Sequence, residues 1–224
     1  MTVAAVVLAA EPASALRDVE GVANARRLAD TAWAGGAFPI VVVSFDPDGA
    51  VANALAGSPA VLAAPAPRED GPVGQICRGI EVARAEVDGT DAALVWPARM
   101  GWVDAETVTS LIEAHGADRA RVLRPAFRGE AGWPALVPTA HLDALRALDP
   151  VLMPGPLLEA LASVIGGRLV DLGDPGAVHD LDTPRESLPP FEGPTEPASA
   201  RHHEWGSPAA AGPDEPPAPP RTVG

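Results

Sequence analysis

The chain has 224 residues, a formal charge of −14, 47% hydrophobic residues, 22 glycines and 26 prolines. That length suits one α/β domain plus a tail and falls short of two independent cores. The negative charge excludes nucleic acid and anionic membrane surfaces, which would repel the chain, and the absence of lysine among its 16 basic residues excludes any chemistry that needs an ammonium side chain.

Taken in order, residues 3 to 8 form a short apolar run predicted as a buried strand. It has no basic residue ahead of it and is too short to span a bilayer, so a cytoplasmic location is expected. Val22, Ala25, Leu28, Ala29 and Ala32 predict a helix that stops at Gly35 and Gly36. FPIVVVSF, residues 38 to 45, is apolar on both faces, as a central parallel strand should be. A weak helix near 49–56 and a strand at 61–64 lead into a loop rich in proline and glycine, PAPREDGPVG, over residues 65 to 74. Val73, Ile76, Ile80, Ala83 and Val87 then recur at helical spacing, and the lone cysteine, Cys77, reads as a small core residue on that helix.

AALVWP, 92–97, is the next predicted strand. Asp104 is placed to cap the helix after it, Glu106 favours its first turn, and Val103 with Val108 can staple its start before Gly116 ends it. Strands near 121–126 and 135–138, helices near 140–148 and 156–164, and a strand at 168–172 follow. This alternation predicts a single α/β domain over residues 1–190, with a doubly wound, mostly parallel sheet. Residues 191–224 hold eight prolines and no apolar periodicity, which predicts a disordered tail; its PDEPPAPP block is alternatively a polyproline docking segment. His202, His203 and Glu204 resemble a metal-ligand cluster but lie in that tail.

Ligands of open α/β sheets bind beyond the carboxyl ends of the strands, so the loops after Leu8, Val43, Ala64 and Val95 are the ones to inspect. VVLAAEPAS resembles the strand and loop LAAGxSxRMGxxK that opens the MobA-like NTP transferases, the molybdenum-cofactor cytidylyl- and guanylyltransferases. GPVGQICRGIEVA resembles their GxxxSLRAGL, and ALVWPARMGWVDAETVTSLIEAH resembles VLLGDMPLVTAETVxALIxAH. RGEAGWPALVP resembles RRGHPVLF, and DPGAVHDLDTPRESL resembles DPGVLxDIDTPEDL. Order and spacing agree over about residues 3 to 188. The resemblance implies a Rossmann-like nucleotidyltransferase fold, a CTP or GTP substrate, a pterin phosphate acceptor and Mg²⁺. It places the nucleotide against Ala9, Ala10, Glu11, Arg17, Gly71, Gly74 and Arg99.

Nucleotidyl transfer needs backbone N–H groups near the triphosphate, a fixed cation on the phosphates and carboxylates holding the metal. Glu11 stands in place of the loop's glycine, and Pro12 removes an N–H donor. Arg17 is close enough to be a shifted substitute for the family's arginine, whereas the lysine has only Arg26 and Arg27 as basic replacements, and these are expected to face solvent. Counting back from V-x-A-E-T-V, the metal-binding aspartate of GDMPL falls on Arg99, so an anion has become a cation. Asp180 and Asp182 in HDLDTP are candidate metal ligands, or else cap and shape the turn before Pro184. Asp104 and Glu106 fit capping better than metal binding. Trp133 replaces the histidine of the GHP turn and Trp102 a leucine near Arg99; each either lines a pocket or plugs the surface, while Trp96 packs in the core.

Three readings follow. In the first, the fold persists, transferase activity is weak or lost, and a nucleotide or other anion binds, with Arg99 holding a phosphate or carboxylate directly. In the second, an active Mg²⁺-dependent enzyme uses Asp180 and Asp182 for metal and Arg17 for phosphate. In the third, a non-catalytic partner docks a molybdoenzyme maturation protein.

Overall fold

A computed structural model describes residues 1–193. The tail sequence from 194 onward, including the histidine pair and PDEPPAPP, lies outside the described residues.

In chain order the strands of the main sheet are β1 (Thr2–Leu8), β4 (Ile40–Val43), β5 (Ala60–Ala63), β6 (Thr90–Pro97), β7 (Val122–Phe127), β8 (Glu130–Ala131), β9 (Ala135–Pro138) and β10 (Gly167–Asp171). Between the first two, β2 (Asp18–Val19) and β3 (Val22–Ala23) form a separate antiparallel ribbon. Seven strands of the main sheet run in the order β10-β7-β9-β6-β1-β4-β5, with β8 paired to β7. The β1–β4, β1–β6, β4–β5 and β7–β10 pairs are parallel, whereas β9 runs antiparallel between β6 and β7. The doubly wound, mostly parallel α/β reading holds.

The helices are α1 (Pro12–Leu16), α2 (Asn24–Ala34), α3 (Ala50–Ala54), α4 (Gly71–Glu86), α5 (Ala105–Ala117), α6 (Leu142–Arg146) and α7 (Pro154–Ile165). α2 and α5 pack together, α2 on β1 and β4 and α5 on β7 and β9; α4 covers β1, β4 and β6, with α6 and α7 beside it. Residues 40–43 are buried on both faces for this reason, as their unbroken apolar run requires. The approach of α4 to the sheet is close: a Cβ on Gly79 would collide with Val6 Cγ1. Asp104 caps α5 as its position predicts, accepting the Glu106 N–H at 2.9 Å.

Three local features depart from the periodic reading. Val22 is exposed and belongs to the ribbon, so the helix begins at Asn24 instead. The stretch expected as a loop to residue 74 ends sooner, in a 3-10 turn at Arg68–Asp70 and the start of α4 at Gly71. Residues Pro12–Leu16, read only as a degenerate loop, form α1, where Pro12 occupies the first turn and sacrifices no intrahelical bond.

Candidate functional site

The carboxyl ends of β1, β4 and β6 supply Leu8, Val43 and Pro97 to a cleft of about 1210 Å³. This is the position where open parallel sheets bind ligands. Its walls are the β1–α1 loop, the segment between β5 and α4, Arg99, Trp133, and the first turn of α7. The β5–α4 wall is pinned by one side chain: Gln75 Oε1 accepts the Ala66 N–H and Gln75 Nε2 donates to the Ala66 carbonyl, both at 3.0 Å.

Ala9 is buried, and its N–H donates to the Val43 carbonyl, which continues the sheet instead of facing the cleft. Ala10 and Glu11 border the cleft. Glu11 is exposed, and its carbonyl accepts from the Ser14 N–H and hydroxyl as α1 begins. Gly71 also borders the cleft and needs its glycine: its φ is +56°, and a Cβ would collide with the Pro150 carbonyl oxygen. Gly74 faces a smaller cavity of about 610 Å³ on the outer side of α4, shared with Cys77, Glu81 and Arg146. Burial pushes the Cys77 thiol up to about 11, which leaves it protonated and unreactive.

Arg99 borders the cleft with its side chain 69% exposed, and its Nη1 lies 3.7 Å from Asp180 Oδ2. The Arg99 carbonyl accepts the Leu181 N–H at 2.9 Å, which brings the HDLDTP turn beside it. Arg17 does not border the cleft. Its Nη1 donates to Asp182 Oδ1 at 2.8 Å and its Nη2 to the Leu181 carbonyl. Both carboxylates of the turn are therefore matched to guanidinium groups, and Asp180 Oδ1 also accepts the Asp182 N–H. Among the described residues, no group of three or more His, Cys, Asp or Glu side chains could hold a metal ion. As arranged, with Asp182 engaged by Arg17 and Asp180 beside Arg99, these residues do not fit Mg²⁺.

The two tryptophans separate. Trp133 is buried and lines the cleft, with the Arg124 guanidinium 5.3 Å from its ring centre. Trp102 is absent from the cleft lining. Its Nε1–H donates to the Thr183 carbonyl at 3.0 Å, and Arg27 and Arg185 lie over its ring. Arg26 pairs with Asp30 and Arg27 with Glu20 and the Gly101 carbonyl, and neither borders the cleft.

The buried carboxylate of this end of the sheet is Asp174. It accepts from Thr107 Oγ1 at 2.7 Å, from Gly176 N at 2.8 Å and from Asp104 N at 3.0 Å. Burial raises its pKa, and those donors oppose the shift. It ties the DPG turn to the start of α5, so its work is structural. Cleft residues without a sequence signal of their own include Arg68, Gln75 and Met153–Pro156; Phe45, by contrast, follows β4 and was findable by strand-end position.

The MobA-like NTP transferase domain model matches residues 5–164. A search of the curated proteins finds no relative by sequence. Among solved structures, a nucleotidyl transferase from Methanothermobacter thermautotroptrophicus is 22% identical, with a TM-score of 0.60 over 75% of this chain and 85% of that one. 2-C-methyl-D-erythritol 4-phosphate cytidylyltransferase from Thermus thermophilus is 21% identical, with a TM-score of 0.58 over 83% and 95%. A Mycobacterium tuberculosis protein solved with manganese is 15% identical, with a TM-score of 0.59 over 77% and 89%. These likenesses show the fold, a Rossmann-like nucleotidyltransferase architecture. No helix of the described residues is long and apolar enough to cross a membrane. With the family model covering more than half of its residues, the chain belongs to the MobA-like NTP transferase domain family.

Proposed function

We propose that this domain binds a nucleotide or another anionic ligand in the cleft at the carboxyl ends of β1, β4 and β6, and that it transfers nucleotidyl groups weakly or not at all. The observation that carries the reading is the pairing of Arg99 with Asp180 at the corner where the family resemblance calls for a metal-binding aspartate. A guanidinium there repels a divalent cation and presents a fork of donors to a phosphate or carboxylate. Glu11, at the loop where phosphates would need backbone donors, adds repulsion toward a triphosphate. The open volume of the cleft supports ligand binding over a purely docking role. A role beside molybdoenzyme maturation rests on the resemblance alone.

Isothermal titration with CTP, GTP and pterin phosphates, each with and without Mg²⁺, tests the binding half, and pyrophosphate release tests the catalytic half. Binding of at least one of these anions without turnover, reduced in Arg99→Gln, is the expected result. Robust Mg²⁺-dependent turnover overturns the reading.

A further inference from the structure

We infer that the cleft is built for an amphipathic ligand with a broad apolar or aromatic body and a single anionic group, bound without a metal ion, and that it rejects nucleoside triphosphates. The inference rests on the reading above, that an anion binds beside Arg99, and narrows the class of that anion.

Helix N-termini hold phosphates because their first N–H groups are unpaired and point outward. Here α1, α4 and α7 all begin with proline in the first turn, and the residues at those starts, Glu11, Gly71 with Pro72, and Met153–Pro156, all line the cleft. Each pyrrolidine ring removes a donor and substitutes apolar surface. α7 has two, Pro154 and Pro156, on either side of Gly155. What remains of the α4 and α7 macrodipoles favours one nearby negative charge, but the directional donors that a phosphate chain needs are depleted.

Phe45 and Met153 line the cleft while 55% and 67% exposed, and Trp133 adds an aromatic face. Large apolar side chains left open to solvent inside a cleft gain stability only when a ligand covers them. The charged residues lining the cleft are Glu11, Arg68 and Arg99, two cations against one anion, and Asp180 just outside the lining sits 3.7 Å from Arg99. Two guanidinium groups opposed by these carboxylates suit a carboxylate, sulfonate or phosphate monoester head and fall far short of neutralising a triphosphate, and among the described residues no group of three or more His, Cys, Asp or Glu gathers to hold its divalent partner. In this arrangement the head group meets the Arg99 guanidinium, and the body lies between Phe45, Trp133 and the proline-rich start of α7.

The probe is 8-anilinonaphthalene-1-sulfonate, which joins an aromatic body to one anion, titrated by fluorescence into the full chain in EDTA. The expected result is one saturable site. Arg99→Gln and Met153→Asp each weaken it tenfold or more with an unchanged near-ultraviolet dichroism spectrum, and millimolar CTP or GTP with Mg²⁺ does not displace it. Absence of a saturable site, dependence on Mg²⁺, indifference to either substitution, or displacement by CTP or GTP at millimolar concentration or below overturns the inference. The two readings fail separately: tight nucleotide binding without pyrophosphate release sinks this inference and leaves the proposed function standing, whereas robust Mg²⁺-dependent pyrophosphate release sinks the proposed function itself.

Discussion

Arg17 reaches across 165 positions of sequence to donate to Asp182 Oδ1 at 2.8 Å, and so ties the end of α1 to the HDLDTP turn. The side chains are 44% and 82% exposed, so solvent screens the pair. Its coupling in a double-mutant cycle of Arg17→Ala and Asp182→Ala is expected at about 0.5 kcal/mol. Urea denaturation measures it, and a coupling several times larger would show that the pair anchors the fold.

Asp174 presents the opposite case. Replacing it with alanine strands three donors in a buried site, and a loss of about 3 kcal/mol is expected. Asp174→Asn keeps one acceptor oxygen and should cost less. Guanidinium denaturation midpoints order the three proteins.

His115 on α5 makes stability depend on pH. It is buried, neither ring nitrogen makes a hydrogen bond, and burial lowers its pKa against the opposing pull of Asp91 and Asp118, with Arg119 reinforcing the shift. Because the folded pKa lies below the unfolded value near 6.5, the unfolded chain binds more protons between the two. The contribution of His115 to stability is therefore fully present above about pH 6.5 and is lost as pH falls through that window toward the folded pKa. His115→Leu should flatten the slope of stability between about pH 5 and 7, and an unchanged slope would assign it to other groups.

Gly79 sets the distance between α4 and the sheet. Gly79→Ala drives a Cβ into Val6 Cγ1 and brings it to 3.2 Å from Val43 Cγ2 before relaxation. Overpacking of this kind is expected to cost about 2 kcal/mol, read from thermal or urea unfolding.

Restoring the family-like residues at two positions tests the proposed loss of triphosphate binding directly. Glu11→Gly with Arg99→Asp removes a repelling carboxylate from the β1–α1 loop and sets a second carboxylate beside Asp180. The double variant is expected to gain Mg²⁺-dependent CTP or GTP binding of at least tenfold in calorimetry. No gain would mean that the helix starts, with proline in their first turns, alone suffice to exclude the triphosphate.

Much of the frame was legible without coordinates. The runs that became β1, β4 and β6, the cap of α5 by Asp104, and the helix stop at Gly35 depend on periodicity and capping within a few residues, so local sequence determined them. Four of the five family-like segments supply residues to the cleft lining, whereas DPGAVHDLDTPRESL supplies none. Val22 was misplaced because its apolar spacing continues a helical pattern, while the Asp18–Val19 strand captured it in a ribbon.

Tertiary structure alone decided where the side chains of the site point. Trp102 and Trp133 each sit beside a glycine in a loop, yet Trp133 lines the cleft and Trp102 lies beneath Arg27 and Arg185. Asp174, with no local mark to distinguish it from Asp180 and Asp182, became the buried carboxylate because Thr107 and Asp104 meet it from 67 and 70 positions away. The cleft recruits Met153 through the packing of α7, not through any strand-end rule. Loop side chains have no period to read, and their direction is set by partners that only the folded chain brings near.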